Sequence, residues 1–172
     1  MIEKSTIQKV LEFFFRNPSK ELHLRELSRL LKLSMPTIIS ATDALAKEGL
    51  VTKIKSDFIT KTRANRENID FIRKKRVYNL ERVYGSGIVD HLLKIYNRPK
   101  AIIMFGSFSR ADDIESSDVD IAVVTKKKMS PNLPEYEKFL NRNVNIHEVD
   151  LGKISREFKS NLSNGIILEG SW

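Results

Sequence analysis

The chain has 172 residues, of which 41% are hydrophobic and 30% charged, as expected for a globular protein of one domain or two small ones. The absence of cysteine excludes disulfides, thiol catalysis and cysteine-rich zinc sites. The start MIEKSTIQKV lacks a signal-like apolar region, and no apolar run approaches the roughly 20 residues of a membrane helix. We therefore expect a cytoplasmic protein with no membrane segment.

Positive charge is concentrated in the first part of the chain. The net charge is +8; residues 1–100 carry 21 lysines and arginines against 11 aspartates and glutamates, whereas residues 101–172 carry 9 against 11. A basic first part favours contact with a polyanion, and a slightly acidic second part suits a site that handles cations. The alternative is that the lysine-rich faces are only solvated surface.

The first 50 residues predict three helices. The first has apolar residues at helical spacing and stops at Pro18; these residues are Ile7, Val10, Leu11 and Phe14. The second, a short helix, would have an inner face of Leu27, Leu30 and Leu31. The third is predicted to begin after the N-cap Ser34, with Pro36 in its first turn, and to run to about Glu48, where Gly49 ends it. Its buried side would be formed by Ile38, Ala41 and Leu45.

A two-stranded hairpin is predicted after the third helix. Residues 51–55 alternate apolar and basic side chains as a half-buried strand does, and residues 60–63 would be the returning strand, with Ser56 and Asp57 near the turn. Helix, helix, turn, helix and hairpin, over LRELSRLLKLSMPTIISATDALAKEGLVTK, resembles the winged helix-turn-helix family across residues 1–65.

That resemblance implies a third helix in the major groove of double-stranded DNA and a wing on the DNA backbone. Candidate residues on the outer face of the helix are Thr37, Ser40 and Lys47. Candidates for phosphate contact are Lys53, Lys55, Lys61 and Arg63. Winged helices also dock proteins, so protein binding is the alternative, and they often dimerise, so a homodimer is a reasonable expectation.

Residues 66–98 predict a helical connector of two helices. Gly85, Ser86 and Gly87 interrupt the apolar pattern and would form a hinge or a simple turn. The basic run at residues 73–76 is either a solvated helix face or an extension of the nucleic-acid surface.

The second half contains a strand that runs into a glycine-serine turn. Residues 101–105 form an apolar run of strand length that ends at Gly106 and Ser107. A strand, a tight turn and a helix together direct backbone N–H groups at one point, which suits a phosphate. Gly106 would let the phosphate approach without a Cβ clash, and Ser107 would add a hydroxyl donor.

Ten residues further on, a second strand begins with two aspartates. Because side chains alternate along a strand, Asp118 and Asp120 share one face while Val119 points to the core. Two carboxylates at this spacing can hold a divalent cation, and Mg²⁺ there can bridge nucleotide phosphates.

The stretch GSFSRADDIESSDVDIAVV resembles the polymerase-β nucleotidyltransferase superfamily, particularly its minimal nucleotidyltransferase branch, over residues 100 to about 170. The resemblance implies transfer of a nucleoside monophosphate from a nucleoside triphosphate to an acceptor, with release of pyrophosphate. It assigns phosphate to Gly106 and Ser107 and Mg²⁺ to Asp118 and Asp120. Arg110 is either a further phosphate contact or a surface residue, and Asp112, Asp113 and Glu115 are interpreted as solvated or helix-related.

The family's third carboxylate, on a neighbouring strand, is missing at the expected position. In the strand predicted over residues 143–150 that position falls on Asn145, whose amide cannot accept a proton as a base. A shifted register would present Glu148 or Asp150 instead. Alternatively His147, on the same face as Asn145, would deprotonate the acceptor or bind metal.

The predicted fold class is α+β: a winged helix over residues 1–65, a helical connector over 66–98, and a mixed-sheet nucleotidyltransferase fold over 99–172. The predicted function is a DNA-associated nucleotidyltransferase that moves a nucleoside monophosphate, AMP from Mg-ATP in the first instance, to a protein or small molecule. Some proteins of the branch are antitoxins with helical HEPN partners, so the resemblance implies a HEPN-type acceptor. The alternative is a transcription regulator or antitoxin whose degenerate transferase domain senses a nucleotide.

Overall fold

The computed structural model describes residues 5–55 and 59–172, so the predicted turn at Ser56 and Asp57 lies outside the described residues. The chain divides into two compact units with the boundary between Lys75 and Arg76. Both units combine helices with a sheet, which confirms the α+β class. None of the described helices has the length and apolar character needed to cross a bilayer.

The N-terminal unit has three helices and a small antiparallel sheet. Its elements are α1 (Thr6–Arg16), β1 (Glu21–His23), α2 (Leu24–Leu31), α3 (Met35–Lys47), β2 (Val51–Lys55) and β3 (Thr60–Ala64). The strand order is β1-β3-β2, so the predicted hairpin is present and gains a third strand. Strand β1 was not predicted because three residues are too few to show the alternation of a strand.

Local signals fix the ends of α3 as predicted. The Ser34 hydroxyl accepts a hydrogen bond from the Thr37 N–H at 3.3 Å, and Pro36 lies in the first turn, where its missing N–H costs little. After the helix, Gly49 has φ +71°, a conformation in which glycine avoids the strain of a side chain.

The core of the N-terminal unit includes most of the predicted inner positions, but Leu30 is an exception. Leu27 is fully buried, whereas Leu30 is 54% exposed, so its predicted inner position is wrong. Each step of three residues rotates a helix position by about 60° away from its starting direction. Leu24 and Leu27 therefore lie on the side of α2 that faces the core, whereas Leu30 lies outside that buried side.

The connector region is helical, as predicted, in α4 (Ile69–Ser86) and α5 (Ile88–Ile95). Gly85 and Ser86 belong to α4, and the interruption is confined to Gly87, with φ +79°. Helix α4 crosses the boundary between the two units. Lys75 is buried, which corrects the interpretation of the basic run as a wholly solvated face.

The C-terminal unit is built on a mixed four-stranded sheet. Its remaining elements are β4 (Ala101–Phe105), α6 (Gly106–Arg110), β5 (Val119–Val124), α7 (Pro134–Leu140), β6 (Val144–Val149), α8 (Arg156–Ser163) and β7 (Ile166–Gly170). The strand order is β6-β5-β4-β7; β4 pairs antiparallel with β5 and β7, and β5 pairs parallel with β6. The closing segment near residue 166, which the sequence indicated only as apolar, is therefore the edge strand β7.

Both faces of this sheet are covered, which explains the continuous apolar character of β4 and β5. On one face the strands pack against residues of α5, α6 and α7, and on the other against α8 through Leu162 and Phe158.

Candidate functional site

Strand pairing brings the predicted site residues to one end of the C-terminal sheet. Phe105, the last residue of β4, pairs with Asp120, so the turn at Gly106 lies beside the start of β5. In the parallel pair of β5 and β6, Asp120 lies opposite Asn145. The glycine-serine turn, the aspartate pair and the third position therefore meet through the hydrogen-bonding register of three adjacent strands.

Glycine suits the turn after β4 because the backbone there has a positive φ and the carboxylate of Asp120 lies close to it. Gly106 has φ +73°, and a Cβ atom there would lie 2.6 Å from Asp120 Oδ2. The sequence predicts that glycine here allows the approach of a phosphate, whereas the structure shows the carboxylate of Asp120 against this position. Helix α6 has only five residues and no side-chain cap, so its dipole is small. The groups that it offers to a phosphate are its backbone N–H groups and the Ser107 hydroxyl.

The aspartate pair lies on one face, as the alternation predicted, and accepts hydrogen bonds from two amides of the neighbouring strand. Asn145 Nδ2 donates to Asp118 Oδ2 at 3.1 Å and to Asp120 Oδ1 at 3.2 Å. Asn143 Nδ2 donates to Asp118 Oδ1 at 3.2 Å. Both aspartates are partly exposed, and a ligand can therefore reach them from solvent.

His147 lies next along the same face. Its Nε2 is 3.4 Å from Asp120 Oδ1, and its side chain is 40% exposed. The imidazole packs against Phe105, with the ring centroids 5.1 Å apart. The ring centroid of Phe158 in α8 lies 6.1 Å from that of His147. The sequence predicted that Asn145 and His147 share a face, and the register places both beside the aspartates.

Glu148 occupies the opposite face of β6, away from the aspartate pair. Its Oε1 accepts hydrogen bonds from the Tyr96 hydroxyl at 2.9 Å and from the Met129 N–H, and Oε2 lies 3.2 Å from Lys128 Nζ. Burial acts to raise the pKa of Glu148, but these hydrogen bonds and the charge of Lys128 outweigh it, so the pKa is lowered. Burial, with Glu148 as neighbour, raises the pKa of the Tyr96 hydroxyl, which stays a donor.

The loop between α6 and β5 contains one residue that the sequence interpretation misplaced. Asp113 is 1% exposed and accepts a hydrogen bond from Asn79 Nδ2 at 2.8 Å, and Arg142 lies 3.9 Å from its other oxygen. The same Asn79 nitrogen donates to the Phe108 carbonyl at 2.9 Å. Asp113 therefore anchors the loop to α4 and is not solvated; an asparagine inside the apolar pattern of α4 was the available signal.

Arg110 is exposed and forms an ion pair with Asp112 at 3.0 Å. This contact favours the surface interpretation of Arg110 over the phosphate-contact interpretation. Contact with a phosphate would first require the guanidinium to leave Asp112.

The oxygens at the aspartate pair suit a hard cation. Carboxylates of two residues converge on one nitrogen, Asn145 Nδ2, and the Ser107 hydroxyl lies in the turn beside them. Mg²⁺ prefers oxygen ligands, usually one or two carboxylates completed by water and phosphate. Within residues 5–55 and 59–172 there is no group of three or more histidine, cysteine or acidic residues placed to hold a metal. A cation here would therefore depend on Asp118, Asp120 and oxygens brought by a ligand.

In the N-terminal unit, the candidate DNA contacts differ in their availability. Lys53 is only 11% exposed and lies 2.6 Å from Asp43, and Lys61 lies 3.1 Å from Glu21. The hydrogen bond from Lys53 lowers the pKa of Asp43. Lys47, Lys55, Arg63 and Ser40 are exposed, and the Thr37 hydroxyl is 2.6 Å from that of Ser34.

Comparison with known proteins gives a family-model match for the part of the chain that holds the site. Residues 89–171, just under half of the chain, match the family model described as Polymerase beta, Nucleotidyltransferase. No curated protein and no solved structure matches the chain. Polymerase-β nucleotidyltransferases typically use divalent metals, which agrees with the oxygen-rich donor set. The match supports a nucleotidyltransferase domain over residues 89–171, with the glycine-serine turn, both aspartates and Asn145 inside it.

Proposed function

We propose that the C-terminal unit transfers a nucleoside monophosphate, AMP from Mg-ATP as the first case to test, to a hydroxyl group of a protein or small molecule. The observation that carries the proposal is the pairing of Phe105 with Asp120, which sets the glycine-serine turn beside the aspartate pair. In the reaction the acceptor oxygen forms a bond to the α-phosphorus and the bond to the β-phosphate oxygen breaks. Pyrophosphate leaves, and the hydroxyl proton passes to a base.

Different residues of the site would bind the phosphates and the Mg²⁺. Backbone N–H groups after Gly106 and the Ser107 hydroxyl would hold phosphate oxygens, and Asp118 and Asp120 would hold Mg²⁺ against them. A bound Mg²⁺ supplies positive charge where charge spreads over the phosphates. Holding the nucleotide in line with the acceptor is the main contribution that the protein makes in such reactions.

His147 is the proposed proton acceptor. Asn145 occupies the position opposite Asp120 and cannot act as a base, and Glu148 lies on the other face. The imidazole of His147 is partly exposed beside Asp120, and Asp120 can stabilise it after it takes up a proton.

The second candidate function is a DNA-binding regulator that senses a nucleotide without transferring it. Asn145 favours this function because it removes the usual third carboxylate. The N-terminal unit supports DNA association in both proposals: its α1, α2, α3 and hairpin follow the order of a winged helix, and Lys47, Lys55 and Arg63 are exposed. The paired state of Lys53 and Lys61 leaves Lys55 and Arg63 as the wing cations we propose for phosphate contact.

The test of the transferase begins with nucleotide binding, which requires no knowledge of the acceptor. We expect Mg-ATP to bind the wild type in a calorimetric titration and α-labelled ATP to label an acceptor, with a co-expressed HEPN-type protein as the first candidate. Asp118→Ala combined with Asp120→Ala should reduce labelling by about 100-fold or more. The matched control, Asp112→Ala with Glu157→Ala, removes two exposed carboxylates of the same unit.

The outcomes separate the two candidates. Mg-dependent binding and labelling, both lost in the aspartate variant alone, support the transferase. Binding without labelling of any acceptor, together with a DNA affinity that changes when Mg-ATP is added, supports the regulator. Equal behaviour of the aspartate variant and its control contradicts the site itself.

A further inference from the structure

The aspartate pair is held together by side-chain amides of β6. Asn145 and Asn143, which we call the amide clamp, make three hydrogen bonds of 3.1–3.2 Å to Asp118 and Asp120. An amide nitrogen has two hydrogens, and the two contacts of Asn145 Nδ2 use one for each carboxylate. Asn143 holds the second oxygen of Asp118.

This arrangement compensates for the repulsion between two adjacent negative charges. Asp118 and Asp120 face the same side of the sheet two residues apart, and their negative charges repel each other. A nucleotidyltransferase site with a third carboxylate would need a cation to relieve that repulsion. Here the N–H groups of the two asparagines, which carry partial positive charge, take the place of that cation. Their hydrogen bonds to carboxylates are charge-assisted and therefore stronger than those between neutral groups.

The same hydrogen bonds oppose a free cation. Carboxylates only accept hydrogen bonds, so the amide of Asn145 must present its NH₂ group, not its oxygen, to the pair. For a cation to lie between the carboxylates, that NH₂ group must move away or the amide must turn to offer its oxygen. Mg²⁺ also gives up its water reluctantly and is usually held with the help of substrate phosphates.

We propose that the amide clamp keeps the aspartate pair assembled without metal and makes entry of the cation depend on the phosphates of a bound nucleotide. This inference rests on the proposed nucleotide site and adds the order of events: Mg²⁺ binds together with the nucleotide and not before it. Asn145 is on this view a positioning residue, because it acts through Asp118 and Asp120.

The test compares Asn145→Asp with Asn132→Asp, the same substitution at an exposed loop position of the same unit. Thermal unfolding is followed in EDTA and in millimolar Mg²⁺ without nucleotide, and calorimetry measures the affinity for free Mg²⁺. We expect free Mg²⁺ to shift the wild type and Asn132→Asp by less than about 1 °C. Asn145→Asp should melt lower in EDTA, regain about 3 °C or more with Mg²⁺, and bind free Mg²⁺ at least about 10-fold more tightly than the wild type.

A second variant covers the case in which Asn145→Asp does not fold. Asn145→Ala removes the donor without adding a charge, and we expect it to melt below Asn132→Ala in EDTA and to be stabilised by Mg²⁺. Stabilisation of the wild type by free Mg²⁺ as large as that of the Asn145 variants would overturn the inference, as would Asn145 variants that match their controls in EDTA. Failure of the wild type to bind Mg-ATP contradicts the proposed nucleotide site, whereas the comparison in EDTA tests the clamp alone.

Discussion

Gly106 shows how one residue connects backbone geometry to the site. Its φ is positive, and a Cβ atom added at this residue would lie 2.6 Å from Asp120 Oδ2. Gly106→Ala should lower the free energy of unfolding by about 1–3 kcal/mol because of backbone strain, and should weaken Mg-ATP binding about 10-fold or more because Asp120 is displaced. Urea denaturation and calorimetry check the two effects.

Gly152→Ala is the matched control for that substitution. Its added Cβ would meet Asp150 Oδ1 at 3.6 Å, an ordinary contact, and Gly152 has no positive φ. We expect little change in stability and none in Mg-ATP affinity. Equal nucleotide affinity of Gly106→Ala and the wild type would show that the turn does not position Asp120.

At the scale of elements, β6 serves two functions because its side chains alternate. One face presents Asn145 and His147 to Asp120, and the other presents Glu148 to Tyr96 and to the Met129 N–H in the loop after β5. The hydrogen bonds of Glu148 therefore hold that loop to the sheet, and the register of β6 places Asn145 opposite Asp120.

The lowered pKa of Glu148 gives this contact a pH dependence. A carboxyl whose folded pKa lies below its ordinary value of 4.5 stabilises the fold fully above that pH, and the contribution is lost as the pH falls through the folded pKa. We expect Glu148→Gln to be less stable than the wild type at pH 7 by about 1–3 kcal/mol, and the difference to shrink below about pH 4.5. Urea midpoints across this range measure it, with exposed Glu157→Gln as control; a difference that stays constant on acidification contradicts the assignment.

At the scale of the whole molecule, positive charge is concentrated in residues 1–100, whereas residues 101–172 are slightly acidic. If the N-terminal unit binds double-stranded DNA through the wing, each lost phosphate contact should reduce the slope of log K against log salt by about 0.9. Lys55→Ala with Arg63→Ala should therefore flatten the slope by about 2, measured by fluorescence anisotropy of the full chain. Lys9→Ala with Lys20→Ala removes the same charge from exposed positions elsewhere in this unit.

The comparison also tests which lysines contribute to DNA binding. Lys53→Ala with Lys61→Ala should change the slope less, because both side chains are already paired with Asp43 and Glu21. Should the two wing variants and the Lys9/Lys20 control give one slope, the wing is not the DNA contact, and protein docking becomes the function to test for this unit.

Several features followed from local sequence because local chemistry is sufficient to produce them. The ends of α3 follow from Ser34, Pro36 and Gly49, and the strand before Gly106 follows from its apolar run. The alternation of β5 put Asp118 and Asp120 on one face. Each of these depends on residues within one turn, or on the period of one element. The assignment of Asn145 to the third position needed the family resemblance as well as the alternation of β6.

Contacts between distant segments were decided only by the tertiary structure. Sequence could not show that Asn79 anchors Asp113, that Glu148 turns toward Tyr96, or that Lys53 is paired with Asp43, because each contact joins segments brought together by folding. By itself the sequence determined the types of most elements and the chemical groups at the site, but not the strands β1 and β7. The tertiary structure decided which of those groups face one another, because the register between strands and the packing of helices are set by long-range contacts that no local pattern encodes.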